Sequence, residues 1–151
     1  MQVKKRVLAV DDNKLNIEII KEILDDDYNL KAVTTGEKAI EVAVDFRPDI
    51  ILLDIMLPGM DGYEVCQQIR TNPALRYTRI IMISAKAMTS ERIEGYEAGA
   101  NVYIAKPFDG DELLTKISKE LHLAALEKEQ EPIRAIIEGR ETDLQTSKQA
   151  K

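Results

Sequence analysis

The sequence is poor in cysteine, in basic charge and in long apolar runs. Cys66 is the only cysteine, which excludes an intramolecular disulfide and a metal site built from several cysteines. The formal net charge of -6 argues against a nucleic-acid surface, because phosphate contacts need clustered lysine and arginine. The apolar runs are much shorter than a membrane-spanning helix requires. These absences predict a soluble protein of a reducing cytoplasm that binds neither nucleic acid nor membrane directly.

Five short apolar, β-branched runs alternate with stretches whose apolar residues recur at helical spacing. This alternation predicts a flavodoxin-like, doubly wound parallel sheet of five strands, in the order 2-1-3-4-5, covered by five helices. The fourth helix is predicted to be capped by Thr89 or Ser90. The five predicted strands are Arg6-Val10, Asn29-Val33, Asp49-Leu53, Arg79-Ile83 and Asn101-Ala105.

One predicted strand ends in an unexpected carboxylate. Four large apolar residues, Ile50 to Leu53, lead directly into Asp54, and three more apolar residues follow it. A continuous apolar run of this length is typical of a strand buried on both faces. A carboxylate at its end faces a steep desolvation cost unless a cation or hydrogen bonds compensate it.

Polar side chains end three other predicted strands as well. Asp11 and Asp12 follow the first strand, Ser84 follows the fourth, and Lys106 follows the fifth. In a parallel sheet the carboxyl ends of neighbouring strands lie side by side, about 5 Å apart per strand. We therefore expect these groups to meet Asp54 at one edge of the sheet.

This set of residues predicts phosphoryl-transfer chemistry. Three close carboxylates with no His or Cys ligand favour Mg²⁺, which shares its coordination shell with phosphate oxygens. Lys106 and Ser84 can meet phosphoryl oxygens, and Asp54, the only singly placed carboxylate, is the nucleophile candidate. Taken singly, Asp11 and Asp12 also suit a helix N-terminus and Lys106 an exposed turn, but their common location favours a site.

Four segments carry a resemblance to a known family. The motifs "VDDN", "LLDIMLPGMDGYEV", "MISAKA" and "GANVYIAKPF" resemble the receiver domain of two-component response regulators, in order and spacing, from about Val3 to Leu121. The resemblance implies that Asp54 accepts a phosphoryl group from a phosphohistidine on a sensor histidine kinase or a phosphotransfer protein. It also implies that Asp12 binds Mg²⁺ directly, that Asp11 binds it through water, and that Asp54 and the backbone carbonyl of Met56 complete the metal site.

The same resemblance implies how the domain switches. Ser84 and Lys106 would bind the phosphoryl oxygens, the Lys106-Pro107 peptide would be cis, and Tyr103 would turn inward on activation. The face formed by the fourth helix, the fifth strand and the fifth helix would then be recognised by a downstream protein.

Two enzyme-like alternatives are weaker. A Mg²⁺-dependent aspartyl phosphatase of the haloacid dehalogenase type needs a second aspartate two residues after the first, where this chain has Met56. A flavodoxin-like electron carrier needs a phosphate-binding loop after the first strand, where the acidic segment "DDNKLN" would repel phosphate. We therefore predict no catalysis beyond Mg²⁺-dependent self-phosphorylation and slow self-dephosphorylation, because apolar Met56 cannot orient a water.

The remaining residues predict an appendage. The sequence divides into a receiver domain, residues 1–123, and a helical extension or linker, residues 124–151. A fresh helix is predicted to start at Glu131-Pro132. Leu126, Ile133, Ile137 and Leu144 recur at intervals of seven, four and seven residues, a weak heptad pattern that Gln130 and Arg140 interrupt. A solvated extension, a helix that forms a homodimer or binds a partner, and a chain cut from a longer protein all remain open.

Overall fold

The protein alternates strands and helices throughout. The computed structural model describes the backbone of residues 3–149 and the side chains of residues 3–137. The strands are β1 (Arg6–Val10), β2 (Asn29–Val33), β3 (Ile50–Leu53), β4 (Arg79–Ser84) and β5 (Val102–Ala105). The helices are α1 (Lys14–Leu24), α2 (Gly36–Phe46), α3 (Gly62–Arg70), α4 (Thr89–Ala98) and α5 (Gly110–Gln149).

All five strands are parallel and lie in the order β2-β1-β3-β4-β5, which confirms the predicted flavodoxin-like topology. Val10 is opposite Leu53, so β1 and β3 end at the same level. Leu53 is opposite Met82, which places Ser84 two residues beyond that level. Three neighbouring strands therefore end close together at the centre of one sheet edge.

The sheet separates two hydrophobic cores, and β3 contributes to both. Ile51 and Leu53 pack into the core beneath α2, α3 and α4, whereas Ile50 and Leu52 pack into the core beneath α1 and α5. Because every residue of β3 is buried, its sequence is continuously apolar rather than alternating. The residue that follows, Asp54, therefore lies at the sheet edge, where β3 and the apolar core end.

Asn13 caps α1, whereas the cap of α4 differs from the one predicted. The side chain of Asn13 accepts hydrogen bonds from the backbone N–H groups of Leu15 and Asn16, so it fixes the start of α1 beside the acidic residues. The prediction that Thr89 or Ser90 caps α4 is wrong. Met88 occupies the N-cap position and its backbone N–H donates to Glu91, a contact that needs no polar side chain at the cap.

Helix α5 is a single 40-residue helix, and the predicted fresh start at Glu131-Pro132 is wrong. Pro132 lies inside the helix, although its ring removes one backbone donor. Before the proline, Glu127 pairs with Arg79 at the start of β4, and Glu131 pairs with Arg76 in the loop that precedes β4. These contacts stabilise the helix across the proline. The predicted division after residue 123 falls within α5. Among the residues that the structure describes, no helix combines the length and apolar character needed to cross a membrane.

Candidate phosphoryl-accepting site

Three carboxylates meet where β1 and β3 end. Asp11 and Asp12 follow β1 directly, and Asp54 follows β3; one oxygen from each lies within 4.8 Å of the others. Asp11 and Asp54 are only 3% and 7% exposed, whereas Asp12 is exposed to solvent. The register of the two strands brings these residues together, as the sequence predicts.

Lys106 compensates both buried carboxylates. It follows β5 and precedes Pro107, and the peptide between them is cis. Its Nζ lies 2.9 Å from Oδ2 of Asp54 and 2.9 Å from Oδ2 of Asp11. Burial lowers the pKa of the Lys106 ammonium, but the hydrogen bonds and charges of Asp54 and Asp11 outweigh this effect and hold the pKa above its ordinary value. The ammonium therefore stays charged in a partly buried position.

The other carboxylate oxygens are held by donors from the same loops. Oδ1 of Asp54 accepts a hydrogen bond from the backbone N–H of Met56 at 3.1 Å. Oδ1 of Asp11 accepts one from the backbone N–H of Asn13 at 2.9 Å. These bonds fix the orientation of both carboxylates, whereas Asp12 makes no side-chain hydrogen bond or ion pair within the described part of the chain.

Asn16 is a site residue that the sequence reasoning missed. Its side-chain amide donates to Oδ2 of Asp11 at 3.2 Å, the oxygen that Lys106 also contacts. The signal was its position in the first turn of α1, five residues after Asp11. A helix that begins at Asn13 brings that turn back over the end of β1.

The carboxylate oxygens of this cluster suit a hard divalent cation. All the candidate ligands are oxygens, three carboxylates converge, and the exposed Asp12 leaves a route from solvent. Negative charge exceeds positive charge at the cluster, since Lys106 is the single cation paired with its carboxylates among the described residues. The arrangement could therefore hold a metal ion.

Ser84 lies at the same sheet edge without joining the charged cluster. Its side chain is fully buried, and its Oγ accepts a hydrogen bond from the backbone N–H of Lys86 at 3.2 Å. The backbone N–H of Lys106 donates to the carbonyl of Ser84 at 3.0 Å, but no hydrogen bond links the Ser84 side chain to Lys106 or to the three carboxylates in the part of the chain that the structure describes. The register explains this separation, because Ser84 lies one residue beyond the level of Asp54.

Tyr103 points inward from β5 towards the loop between β4 and α4. Its ring is 5% exposed, and its hydroxyl donates to the backbone carbonyl of Lys86. Burial, followed by the nearby Tyr63 and Glu91, raises the pKa of Tyr103 to about 12. The guanidinium of Arg92 lies 5.6 Å from the ring centroid. Tyr103 therefore couples β5 to the residue that hydrogen-bonds Ser84.

A cavity of about 380 Å³ adjoins the carboxylates on the α1 side. Asp54 and Lys106 line it, together with apolar side chains that include Ile20 and Phe108. On the opposite side, the Met56 side chain is 55% exposed beside Asp54. An attacking group can therefore approach the site from solvent, and apolar surface borders its path.

Known proteins show the same pattern. The family model described as "Response regulator receiver domain" matches residues 7–118. Response regulator PleD of Caulobacter vibrioides is 35% identical over 113 residues, which are 74% of this chain and 25% of PleD. Transcriptional regulatory protein ResD of Bacillus subtilis is 37% identical over 121 residues, which are 80% of this chain and 49% of ResD. The chain thus spans between a quarter and half of the length of these relatives.

Solved structures extend the likeness to three dimensions. The receiver domain of a sensor histidine kinase from Pseudomonas aeruginosa PAO1 superposes with a TM-score of 0.74 at 33% identity. The match covers 80% of this chain and 99% of that domain, whose structure has a magnesium ion coordinated in the active-site cleft.

Proposed function

This chain belongs to the response regulator receiver domain family of two-component phosphorelay signalling, and we propose that Asp54 is its phosphoryl acceptor. One observation carries the proposal. Lys106 bridges Asp54 and Asp11 beside the exposed Asp12, so a buried nucleophile, a fixed cation and a metal-binding carboxylate lie around one point. Phosphoryl transfer depends mainly on such positioning and charge neutralisation.

The chemical step is a displacement at phosphorus. A carboxylate oxygen of Asp54 forms a P–O bond while the P–N bond of a phosphohistidine breaks, and the electron pair of that bond stays on the departing imidazole. Lys106 holds the Asp54 carboxylate in place and neutralises part of the charge on the transferred group. Asp11, Asp12 and Asp54, with the Met56 carbonyl, would hold Mg²⁺, which supplies charge neutralisation of the phosphoryl oxygens when bound. The donor is a sensor histidine kinase or a phosphotransfer protein.

The phosphoryl group would switch the domain through Ser84. Phosphorylation adds up to two negative charges and three strong acceptors. The Ser84 hydroxyl makes no hydrogen bond to a carboxylate among the described residues, so it can donate to one of these acceptors. Movement of Ser84 towards the phosphoryl group would carry the Lys86 backbone with it, and Tyr103 is hydrogen-bonded to that residue. The face of α4, β5 and α5 would thereby change and be recognised by a downstream protein, as a shift between two populations.

Loss of the phosphoryl group would be slow. The exposed Met56 side chain stands beside Asp54, where a polar residue would be needed to orient an attacking water. The same residue argues against the phosphatase alternative, whose second aspartate would occupy that position. We therefore propose a signalling domain with weak self-catalysis, working where a kinase can reach it in the cytoplasm.

Intact mass spectrometry tests the acceptor. The full chain would be incubated with Mg²⁺ and a small phosphoryl donor, either acetyl phosphate or phosphoramidate, whose P–N bond resembles that of phosphohistidine. We expect one phosphoryl adduct that disappears in Asp54→Asn and on addition of EDTA, but persists in Asp45→Asn, a matched change at an exposed position on α2. An adduct that survives Asp54→Asn, or a folded protein that accepts from neither donor, would overturn the proposal.

A further inference from the structure

A second cavity lies at the end of the sheet opposite to Asp54. It has a volume of about 150 Å³, and its lining includes Arg6, Arg47, Asp49, Tyr77 and Lys128. Arg6 begins β1, whereas the phosphoryl-accepting site starts after the fifth and last residue of that strand. At roughly 3.3 Å per strand residue, the two sites are about 16 Å apart. The cavity is therefore separate from the carboxylate cluster.

Positive charge predominates in the lining of this cavity. Arg6, Arg47 and Lys128 are exposed, and none of them has a carboxylate within ion-pair distance among the described residues. The carboxylate of Asp49 also lines the cavity, and its Oδ2 accepts a hydrogen bond from the backbone N–H of Arg6 at 2.8 Å. Three positive charges thus surround one negative charge, on a chain whose formal net charge is -6. A local excess of this sign attracts an anion.

The acidic residues on the core-facing side of α5 are already paired with other arginines. Glu120 is buried and accepts from Arg79 at 2.7 Å, and Glu127 pairs with the same guanidinium at 2.8 Å. Glu131 pairs with Arg76 at 2.6 Å. These carboxylates neutralise the arginines at and before the start of β4, so the three cations of the cavity remain available to an anion from solvent.

The backbone of Arg47 supports a role for its side chain. Arg47 directly follows α2, with φ 50° and ψ 65°, the left-handed conformation that is most often occupied by glycine at a helix C-terminus. A side chain in this conformation has a steric cost that glycine avoids. Arginine therefore adds a cation to the cavity at a position where the backbone favours a residue without a side chain. Strained residues of this kind concentrate at binding sites.

We propose that this cavity binds a phosphate-type oxyanion, either inorganic phosphate or the terminal group of a small phosphomonoester, and thereby ties α5 to the receiver core. Its volume is below the range of about 300–1,000 Å³ that is typical of pockets for larger organic ligands, so one tetrahedral anion suits it. Arginine and lysine donate charge-assisted hydrogen bonds to phosphate oxygens.

The link to α5 follows from where the three cations lie. Arg6 and Arg47 belong to the receiver core, whereas Lys128 belongs to α5 and lies 5.7 Å from the centre of the Tyr77 ring. An anion bound by all three would join the helix to the core at this point. The site does not use Asp54, and its occupancy is independent of the chemistry proposed there.

Isothermal titration calorimetry of the full chain tests the site, with EDTA present so that no metal ion holds phosphate at Asp54. We expect inorganic phosphate to bind at one site per chain, and Lys128→Gln and Arg47→Gly each to raise the dissociation constant by about tenfold. Lys119→Gln removes the same charge at an exposed position of α5 outside the cavity and should leave the constant unchanged. A second titration with methyl phosphate distinguishes the two sources, since tighter binding of methyl phosphate identifies a phosphomonoester. A wild-type chain that binds neither anion, or binding that both cavity variants leave unchanged, would overturn the proposal.

Two further measurements separate binding from folding and test the link to α5. Because glycine adopts the left-handed conformation without steric cost, Arg47→Gly should not lower the thermal denaturation midpoint in phosphate-free buffer, although it weakens binding. Hydrogen–deuterium exchange should show that saturating phosphate slows the exchange of amides around Lys128 in the wild type but not in Lys128→Gln. Exchange in α5 that phosphate leaves unchanged in the wild type would contradict the link between this helix and the core.

Discussion

Nζ of Lys106 lies 2.9 Å from Oδ2 of Asp54, and this contact joins residues 52 positions apart in the sequence. The lysine contacts Asp11 at the same distance. Lys106 therefore lies between two buried carboxylates and neutralises part of their negative charge. Without it, a bound metal ion would have to neutralise that charge alone.

Removal of this lysine should make the fold depend on the metal. Lys106→Met leaves two close buried carboxylates without their cation, so we expect the free energy of unfolding to fall by about 2 kcal/mol without Mg²⁺. Added Mg²⁺ should recover more stability in this variant than in the wild type. Thermal denaturation with and without Mg²⁺ measures both effects. Lys86→Met, at an exposed lysine nearby, is the control; an equal loss there would contradict the role given to Lys106.

The buried bridge at the start of β4 should contribute far more than its exposed neighbour. Arg79→Met leaves buried Glu120 without a partner, and we expect a loss of about 3 kcal/mol in urea denaturation. Arg76→Met breaks the pair with Glu131, whose side chains are 60% and 41% exposed, and should cost less than about 1 kcal/mol. Combining Arg79→Met with Glu120→Gln should recover part of the loss. Equal costs for the two single variants would show that burial does not decide the strength of these bridges.

Gly62 permits α3 to start directly beneath Asp54. A Cβ at this position would meet the backbone oxygen of Asp54 and lie 2.7 Å from Cα of Ile55, and backbone atoms cannot move aside as a side chain can. We expect Gly62→Ala to destabilise the fold by about 3 kcal/mol. Gly110→Ala meets only the flexible Ile23 side chain, at 3.3 Å, and should change stability by less than about 0.5 kcal/mol. Urea denaturation of both variants checks this, and a tolerated Gly62→Ala would contradict the close approach.

Stability should fall at alkaline pH because of Cys66. Burial raises the pKa of this thiol from 9.0 to about 11, so between these values the unfolded chain loses a proton that the folded protein retains. The free energy of unfolding should therefore decline as the pH rises from about 9 and level off above about 11. Cys66→Ala retains the other titrating groups, and the difference in slope between the two proteins isolates the thiol. An identical slope would contradict this origin.

The alternation of strand-like and helix-like segments in the sequence was sufficient to predict the fold and most of the site. Each strand is a short β-branched run, and parallel strands must end at a common edge. Hence Asp11, Asp12, Asp54 and Lys106 could be placed together from their positions at strand ends. Local hydrophobic periodicity and chain connectivity carry this information.

Other features depended on how separate helices and strands pack against one another, which no local sequence pattern predicts. Asn16 contacts Asp11 because α1 turns back over β1, and Ser84 is separate from the charged cluster because the register of β3 and β4 displaces it by one residue. Similarly, Pro132 predicts a helix start, because proline lacks a backbone N–H and suits the first turn of a helix, yet it lies inside α5.

The sequence by itself determined the order of strands and helices, the central position of β3 and the identity of the acidic cluster, since these follow from periodicity and from which residues end each strand. The tertiary structure decided which partners neutralise the buried charges. It brought Lys106 to Asp54 and Arg79 to Glu120, and the second contact sets which face of α5 is turned to solvent. Such pairings join distant parts of the chain, and their strength comes from the burial that packing creates.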